Sequence, residues 1–313
     1  MPEFRVLLTD GLDQAGHSIL RSGASVEDRS GISPKELLVT IPAFDAVIVR
    51  GRTRMSAEVI RAASKLKVIG RAGVGVDNID VDAARKHDVT VVNAPISTSA
   101  AVAELALGLM LALTRELPRA DSSMKRGEWL KSEFRGVELS GKTLGIIGIG
   151  RIGEELSRRA IALGMNVIAY DPFVEEEQIK KRAAEPVSIQ DLYAWSDFIS
   201  LHLPLNVHTR DLVGPLAFSQ MKPGVRIVCA ARGGIVDENA LLAGLESGKV
   251  AGAALDVFAS EPPGASDLVR HPRVIATPHI GAQTVEAQQR AAEDIATEVL
   301  AALEGKPLRW KVN

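Results

Sequence analysis

Short apolar runs recur along the chain, most of them followed by a stretch whose apolar positions return every three or four residues. In the first third, strand-like runs at 5–8, 46–49, 67–70 and 90–92 alternate with helical patterns such as 56–64 and 81–86. Strand then helix, repeated, predicts a parallel sheet flanked by helices. The series is complete before the middle of the chain begins, so residues 1–97 are expected to form a domain of their own. A long apolar helix is predicted over 99–119, broken by Pro118, and an irregular charged stretch over 127–141 follows it. Strand candidates resume at 198–203, 226–229, 252–257 and 274–277, with a helix at 238–247 capped by Asp237. The last predicted element is an amphipathic helix over 283–303, ended by Gly305 and Pro307.

Between the two series lies the stretch 143–171, TLGIIGIGRIGEELSRRAIALGMNVIAYD. It reads as one βαβ unit with a glycine-rich loop after its first strand and an acid after its second. Gly148 permits the tight turn off the strand, Gly150 lets a pyrophosphate approach the backbone, and Gly153 lets the helix pack closely on the sheet. The free amides of the first helical turn and the helix dipole both favour phosphate there. Asp171 stands where its carboxylate can accept hydrogen bonds from a ribose diol, and its charge repels a 2′-phosphate. NAD is therefore the expected cofactor, in preference to NADP.

Composition acts mainly by exclusion. With 313 residues the chain is long enough for about two domains. Its 37 basic and 39 acidic residues give a formal charge of -2 and are mixed along the sequence, which leaves no broad footprint for nucleic acid or an anionic membrane. A single cysteine, Cys229, rules out an intramolecular disulfide or a cysteine metal cluster, and no other metal site is expected. The segment MPEFRVLLTDG enters a strand pattern directly, without a secretory signature, so the expected location is the cytoplasm. The longest apolar run, 100–113, is interrupted by Glu104 and too short to span a bilayer; it reads as a buried or an interface helix.

Ligands of open α/β sheets bind beyond the carboxyl ends of the strands. Three residues of complementary chemistry follow strand candidates there: Arg232 in CAARGGIVDENAL, Glu261 in ALDVFASEPP and His279 in TPHIGAQT. A guanidinium can grip a carboxylate in a bidentate fork, an imidazole can move a proton near neutral pH, and a carboxylate can orient that imidazole and raise its pKa. With NAD as hydride acceptor, neither a nucleophile nor a metal is required.

Taken in order, VRGRTRMSAEVI, GRAGVGVDNID, LGIIGIGRIG, CAARGGIVDENALL, AGAALDVFASEPP and TPHIGAQT resemble the blocks of the D-isomer-specific 2-hydroxyacid dehydrogenases, over nearly the whole chain. The resemblance implies His279 as general acid and base, Glu261 as its partner and Arg232 as the anchor of the substrate carboxylate. It assigns Arg151, Ile152 and Asp171 to the pyrophosphate and adenosine ribose, and Val74, Leu203, Ala230, Asp256, Gly281 and Ala282 to the rest of the cofactor site. It further implies two doubly wound parallel-sheet domains. A Rossmann NAD domain, 98–282, is inserted into a flavodoxin-like substrate domain, 1–97 plus 283–313, with hinge closure around the hydride and a homodimer through the NAD domain.

Substrate choice is expected in the first domain. Arg50, Arg52, Arg54 and Arg71 crowd two loops, and the GVGVDN turn brings Val74, Gly75 and Asn78 beside them. That is more positive charge than a plain 2-hydroxy acid needs, and a second anionic group such as a phosphate accounts for it. Arg50 carries the most weight; Arg52 and Arg54 are expected to be solvated. Two departures from the resemblance are noted. Cys229 replaces a usual Asn, and the sequence stops at Asn313 without the regulatory domain that longer relatives append, so feedback inhibition through such a domain is not expected. Two alternatives remain open: a dehydrogenase of glyoxylate, hydroxypyruvate or a sulfonated analogue, and an NAD-sensing protein resembling transcriptional corepressors.

Overall fold

The computed structural model describes residues 4–313; the opening residues 1–3 of the MPEFR segment lie outside the described residues. The chain divides into two compact units. The smaller runs to Thr98 and is completed by Ala282–Asn313, and the larger is Ser99–Gly281.

In the smaller unit, β1 (Phe4–Leu8), β2 (Ala24–Asp28), β3 (Ala46–Val49), β4 (Val68–Arg71) and β5 (Thr90–Asn93) form one parallel sheet in the order β2-β1-β3-β4-β5. This is the flavodoxin-like order. Leu7, Val47, Ile69 and Val91 stand side by side in register and pack with Phe44 on one face. Their neighbours Leu8, Ile48, Val68 and Val92 pack with Ile295 and Val299 on the other. Both faces are covered, which is why these strands are apolar throughout. The helix Val285–Leu303, N-capped by Thr284, crosses β4 at Gly70, where a Cβ would stand 2.6 Å from Val299 Cγ2. The edge strand β2 was absent from the sequence candidates, and its ASVED sequence explains why: only Ala24 is buried.

The larger unit carries β6 (Thr143–Ile147), β7 (Asn166–Tyr170), β8 (Glu185–Pro186), β9 (Phe198–Leu201), β10 (Val225–Cys229), β11 (Val250–Leu255) and β12 (Val274–Ala276). All are parallel, in the order β12-β11-β10-β9-β6-β7-β8. The winding reverses between β6 and β9, and this switch point is where a doubly wound sheet opens a crevice beyond its strand ends. The expected helix over 99–119 is two helices, Ser99–Thr114 and Leu117–Lys125. The break falls at Glu116, which adopts a left-handed conformation at φ 51°; Pro118 opens the second helix rather than ending the first, a position that suits its fixed φ and missing N–H. Among the described residues no helix is long and apolar enough to cross a membrane.

Candidate active site and cofactor cradle

Three loops of the larger unit bring the candidate chemistry together. The first leaves β10 through Arg232 and Gly233. A Cβ on Gly233 would lie 1.7 Å from the Phe258 carbonyl oxygen, so only glycine lets this loop pass against the segment that leads to Glu261. Arg232 is half-buried and donates to the Ala231 carbonyl at 2.7 Å. The second loop leaves β11. There Glu261 accepts the Phe258 amide on Oε1 at 3.1 Å and meets His279 Nδ1 with Oε2 at 2.8 Å. The third leaves β12 and places His279 at φ 53°.

That left-handed turn is fixed by Asp256, which is 1% exposed. Its carboxylate accepts the Ile280 and Gly281 amides, both at 2.8 Å, and the Thr277 hydroxyl at 2.6 Å. The resemblance gave Asp256 to the cofactor. In the structure both of its oxygens are engaged by the loop that carries His279, and sequence pattern gave no sign of this. The hydrogen bond to Glu261 raises the His279 pKa above the ordinary imidazole value; burial and the Arg232 charge oppose it, and Asp256 adds to it. Burial pushes the Glu261 carboxyl up, but the hydrogen bond and charge of His279, the Phe258 amide and Arg232 outweigh it and hold the group below its usual range. Both side chains remain partly open to solvent. The pair can thus hold a proton on one ring nitrogen while the other exchanges one with a ligand.

The glycine loop fits a dinucleotide. Gly148 has φ 90°, and a Cβ there would lie 2.5 Å from the His202 carbonyl oxygen; a Cβ on Gly153 would lie 2.5 Å from the Gly148 oxygen. These two glycines bind the strand ends and the helix Arg151–Ala162 together. Gly150 is different: a Cβ there meets nothing within 4 Å, so the space above it is open. Gly150 is also the N-cap of that helix and no side chain caps it, which leaves the first-turn amides of Arg151 and Ile152 for a phosphate. Asp171 follows β7 and holds the loop by accepting the Ile149 amide at 3.1 Å and the Phe173 amide at 3.0 Å. Leu203 borders Gly148, and Ala230 is buried after β10 beside Cys229. Cys229 is itself buried, and burial pushes its thiol up to about 11, so it is a small core residue. His202, just past the end of β9, bonds Ser200 Oγ through Nε2 at 2.9 Å and is held down to about 4 by burial; sequence reasoning passed over it.

In the smaller unit Asp10, also passed over, orders the loop after β3. It accepts the Arg50 amide at 2.7 Å and the Thr53 amide at 3.1 Å. Arg52, expected to be solvated, is exposed, and it also donates to the Thr9 and Ile32 carbonyls at 2.6 and 3.1 Å and pairs with Asp10 at 3.2 Å. Asn78 spends its amide nitrogen on the Arg50 and Thr53 carbonyls. Arg50 reaches Gln283 at 3.5 Å, and Arg71 folds beside Gly73 onto the Ala72 carbonyl at 2.6 Å. Val74 is exposed and Gly75 half-buried in the same turn. Ala282 opens the returning segment and accepts the Gln288 side chain at 2.6 Å. Among the described residues no cluster of His, Cys, Asp or Glu could hold a metal.

Comparison with known proteins follows the same lines. The chain is 47% identical over 310 residues to D-3-phosphoglycerate dehydrogenase of Methanocaldococcus jannaschii, covering 99% of this chain and 59% of the relative. The Homo sapiens enzyme of that name is 44% identical over 310 residues, with 99% and 58% covered. The chain therefore spans under three fifths of the length of these relatives. Among solved structures, a glyoxylate reductase from Paecilomyes thermophila matches with a TM-score of 0.91 at 34% identity, covering 100% of this chain and 99% of that one. D-lactate dehydrogenase from Escherichia coli matches at 0.85 and 27%, with 99% and 100% covered. Residues 107–281, which include the glycine loop, Arg232, Glu261 and His279, match the description "D-isomer specific 2-hydroxyacid dehydrogenase, NAD binding domain", and with more than half of its length in that match the chain belongs to the D-isomer specific 2-hydroxyacid dehydrogenase family.

Proposed function

We propose that the chain oxidises D-3-phosphoglycerate to 3-phosphohydroxypyruvate with NAD, the reaction that opens phosphorylated serine synthesis. The observation that carries the reading is the 2.8 Å contact of Glu261 with His279, both of which feel the charge of Arg232 on a third loop, in a domain matched to NAD binding. NAD, when bound, supplies the hydride acceptor. Arg232 grips the substrate carboxylate and the oxygen on C2. His279 Nδ1 is engaged by Glu261, so Nε2 takes the hydroxyl proton as the C2–H bond breaks and its electron pair leaves as hydride. The C2–O bond becomes a carbonyl, and the proton stays on an imidazolium that Glu261 stabilises. Reduction runs the same steps backwards.

The choice of a phosphorylated substrate rests on the relatives' names and on the arginines of the smaller unit. Arg50 and Arg71 are the residues proposed to answer the phosphate, with the Val74–Gly75 turn offering backbone amides. Asp10 and Asn78 serve by holding the Arg50 loop in shape. The glyoxylate reductase likeness supports a second reading, reduction of a small unphosphorylated 2-keto acid. A panel of NADH oxidation rates with phosphohydroxypyruvate, hydroxypyruvate, glyoxylate and sulfopyruvate separates the two. The phosphorylated compound should lead in kcat/KM by about tenfold or more, the worth of a charge-assisted contact or two. Equal or faster turnover of an unphosphorylated acid overturns the first reading. We further propose a cytoplasmic homodimer whose contact includes the exposed Leu111, Leu117 and Trp129 of the larger unit.

A further inference from the structure

One guanidinium of the larger unit stands at the cofactor cradle without a part in the reading above. Arg182 caps the helix Glu176–Lys181 and sends its side chain back to the glycine loop, where Nη1 donates to the Ile149 carbonyl. Its Nε lies 3.9 Å from Glu154 Oε2, but Glu154 is more closely engaged by Arg158, at 2.6 Å, so one carboxylate is shared between two arginines. Asp171 holds the other polar atom of the same backbone residue, the Ile149 amide, at 3.1 Å. A carboxylate and a guanidinium bonded to the two ends of one residue lie within about 9 Å of each other by ordinary bond geometry. Arg182 also keeps 30% of its side chain exposed, enough to meet a ligand.

In a dinucleotide-binding unit the acid at this strand end reads the ribose 2′-hydroxyl, and a nearby arginine is what accommodates a 2′-phosphate. We propose that Arg182 is a second specificity-determining residue of the ribose subsite: it offsets the repulsion of Asp171 and gives the chain a measurable tolerance for a 2′-phosphorylated dinucleotide. The inference rests on the NAD reading of the glycine loop. Its chemistry is that of a fork-shaped cation for a dianion, opposed by the carboxylates of Asp171 and of Glu154, the latter drawn off by Arg158.

Fluorescence titrations of NADH and NADPH against the wild type, Arg182→Met, Asp171→Ser and the double variant test it without reference to turnover. Arg182→Met should raise the ratio of the NADPH to the NADH dissociation constant about tenfold, the scale of one partly screened charge-assisted hydrogen bond. Asp171→Ser should lower that ratio by tenfold or more, and adding Arg182→Met should cancel most of the gain. An Asp171→Ser gain that survives in the double variant overturns the proposal. So does a loss that falls equally on both dinucleotides in Arg182→Met, which would make Arg182 a brace of the loop. A wild type that binds neither dinucleotide removes the NAD reading itself, and the inference with it; binding of NADH with an unmoved ratio removes the inference alone.

Discussion

His279 occupies a backbone region that costs a residue with a side chain about 1–3 kcal/mol, and Asp256 holds it there through the Ile280 and Gly281 amides. Its ring is then met by Glu261, whose hydrogen bond raises the imidazole pKa. The sign of the pH dependence follows. Oxidation requires a neutral ring, so its rate should climb as pH rises through the raised value, with the acidic limb above about 6.5. Reduction requires the imidazolium and should fall through the same value. Glu261→Gln removes the cause of the shift, and its kcat/KM limb for oxidation should move to lower pH; an unmoved limb would separate Glu261 from the proton transfer. His279→Gln should lower kcat by about 10² to 10⁴ while NADH binding changes little, as expected when positioned proton transfer is lost. The residue types were legible from sequence because each follows a strand. The pairing of Glu261 with His279 was implied by the family resemblance, and the structure brings the two to 2.8 Å. The engaged carboxylate of Asp256 was not legible, since it depends on how the loop after β12 folds back against the end of β11.

At the scale of elements, the glycines of the loop do different work, and the difference can be measured. Gly148 and Gly153 are spaces already filled by backbone, and Gly150 is a space left open. Gly148→Ala would force a left-handed φ and a contact with the His202 carbonyl, parting the ends of β6 and β9. A loss of about 2 kcal/mol or more is expected, visible as a lower Tm. Gly150→Ala meets no protein atom, so the fold should persist with Tm nearly unchanged, while NADH affinity drops about tenfold or more because the new methyl occupies the pyrophosphate approach. Equal behaviour of the two variants would remove the cradle interpretation. The order of strands and helices could be read from the chain because buried parallel strands are nearly uniformly apolar. What escaped was locally ambiguous: β2, whose ASVED sequence sits at a sheet edge, β8, only the two residues Glu185–Pro186 at the edge of the other sheet, and the break at Glu116, where a charged residue turns left-handed in a sequence that otherwise favours helix.

The whole chain leaves its first unit at Thr98 and returns to it only at Ala282, so the smaller unit is complete only when its last segment docks. The docking is polar as well as apolar. Glu298, 2% exposed in the helix Val285–Leu303, accepts the Arg309 amide and guanidinium and the Trp310 amide at 2.9, 3.0 and 3.2 Å. Beyond it the Val312 amide donates to the Val91 carbonyl at 2.8 Å, and the Asn313 side chain spans the Val91 amide and the Val89 carbonyl, both at 2.8 Å. The tail thus covers the edge of β5, which would otherwise present unpaired backbone groups. Ending the chain after Gly305 strips Glu298 of all three donors and reopens that edge. A buried carboxylate left without its partner costs on the order of 3–5 kcal/mol, so the loss should fall heavily on the smaller unit. Native-state hydrogen exchange reads the outcome element by element: the amides of β3, β4 and β5 should lose protection, and those of β6, β9 and β10 should keep theirs. Protection lost equally in both units would mean that the two unfold as one body, and unchanged protection in β5 would show that the tail is not what closes its sheet.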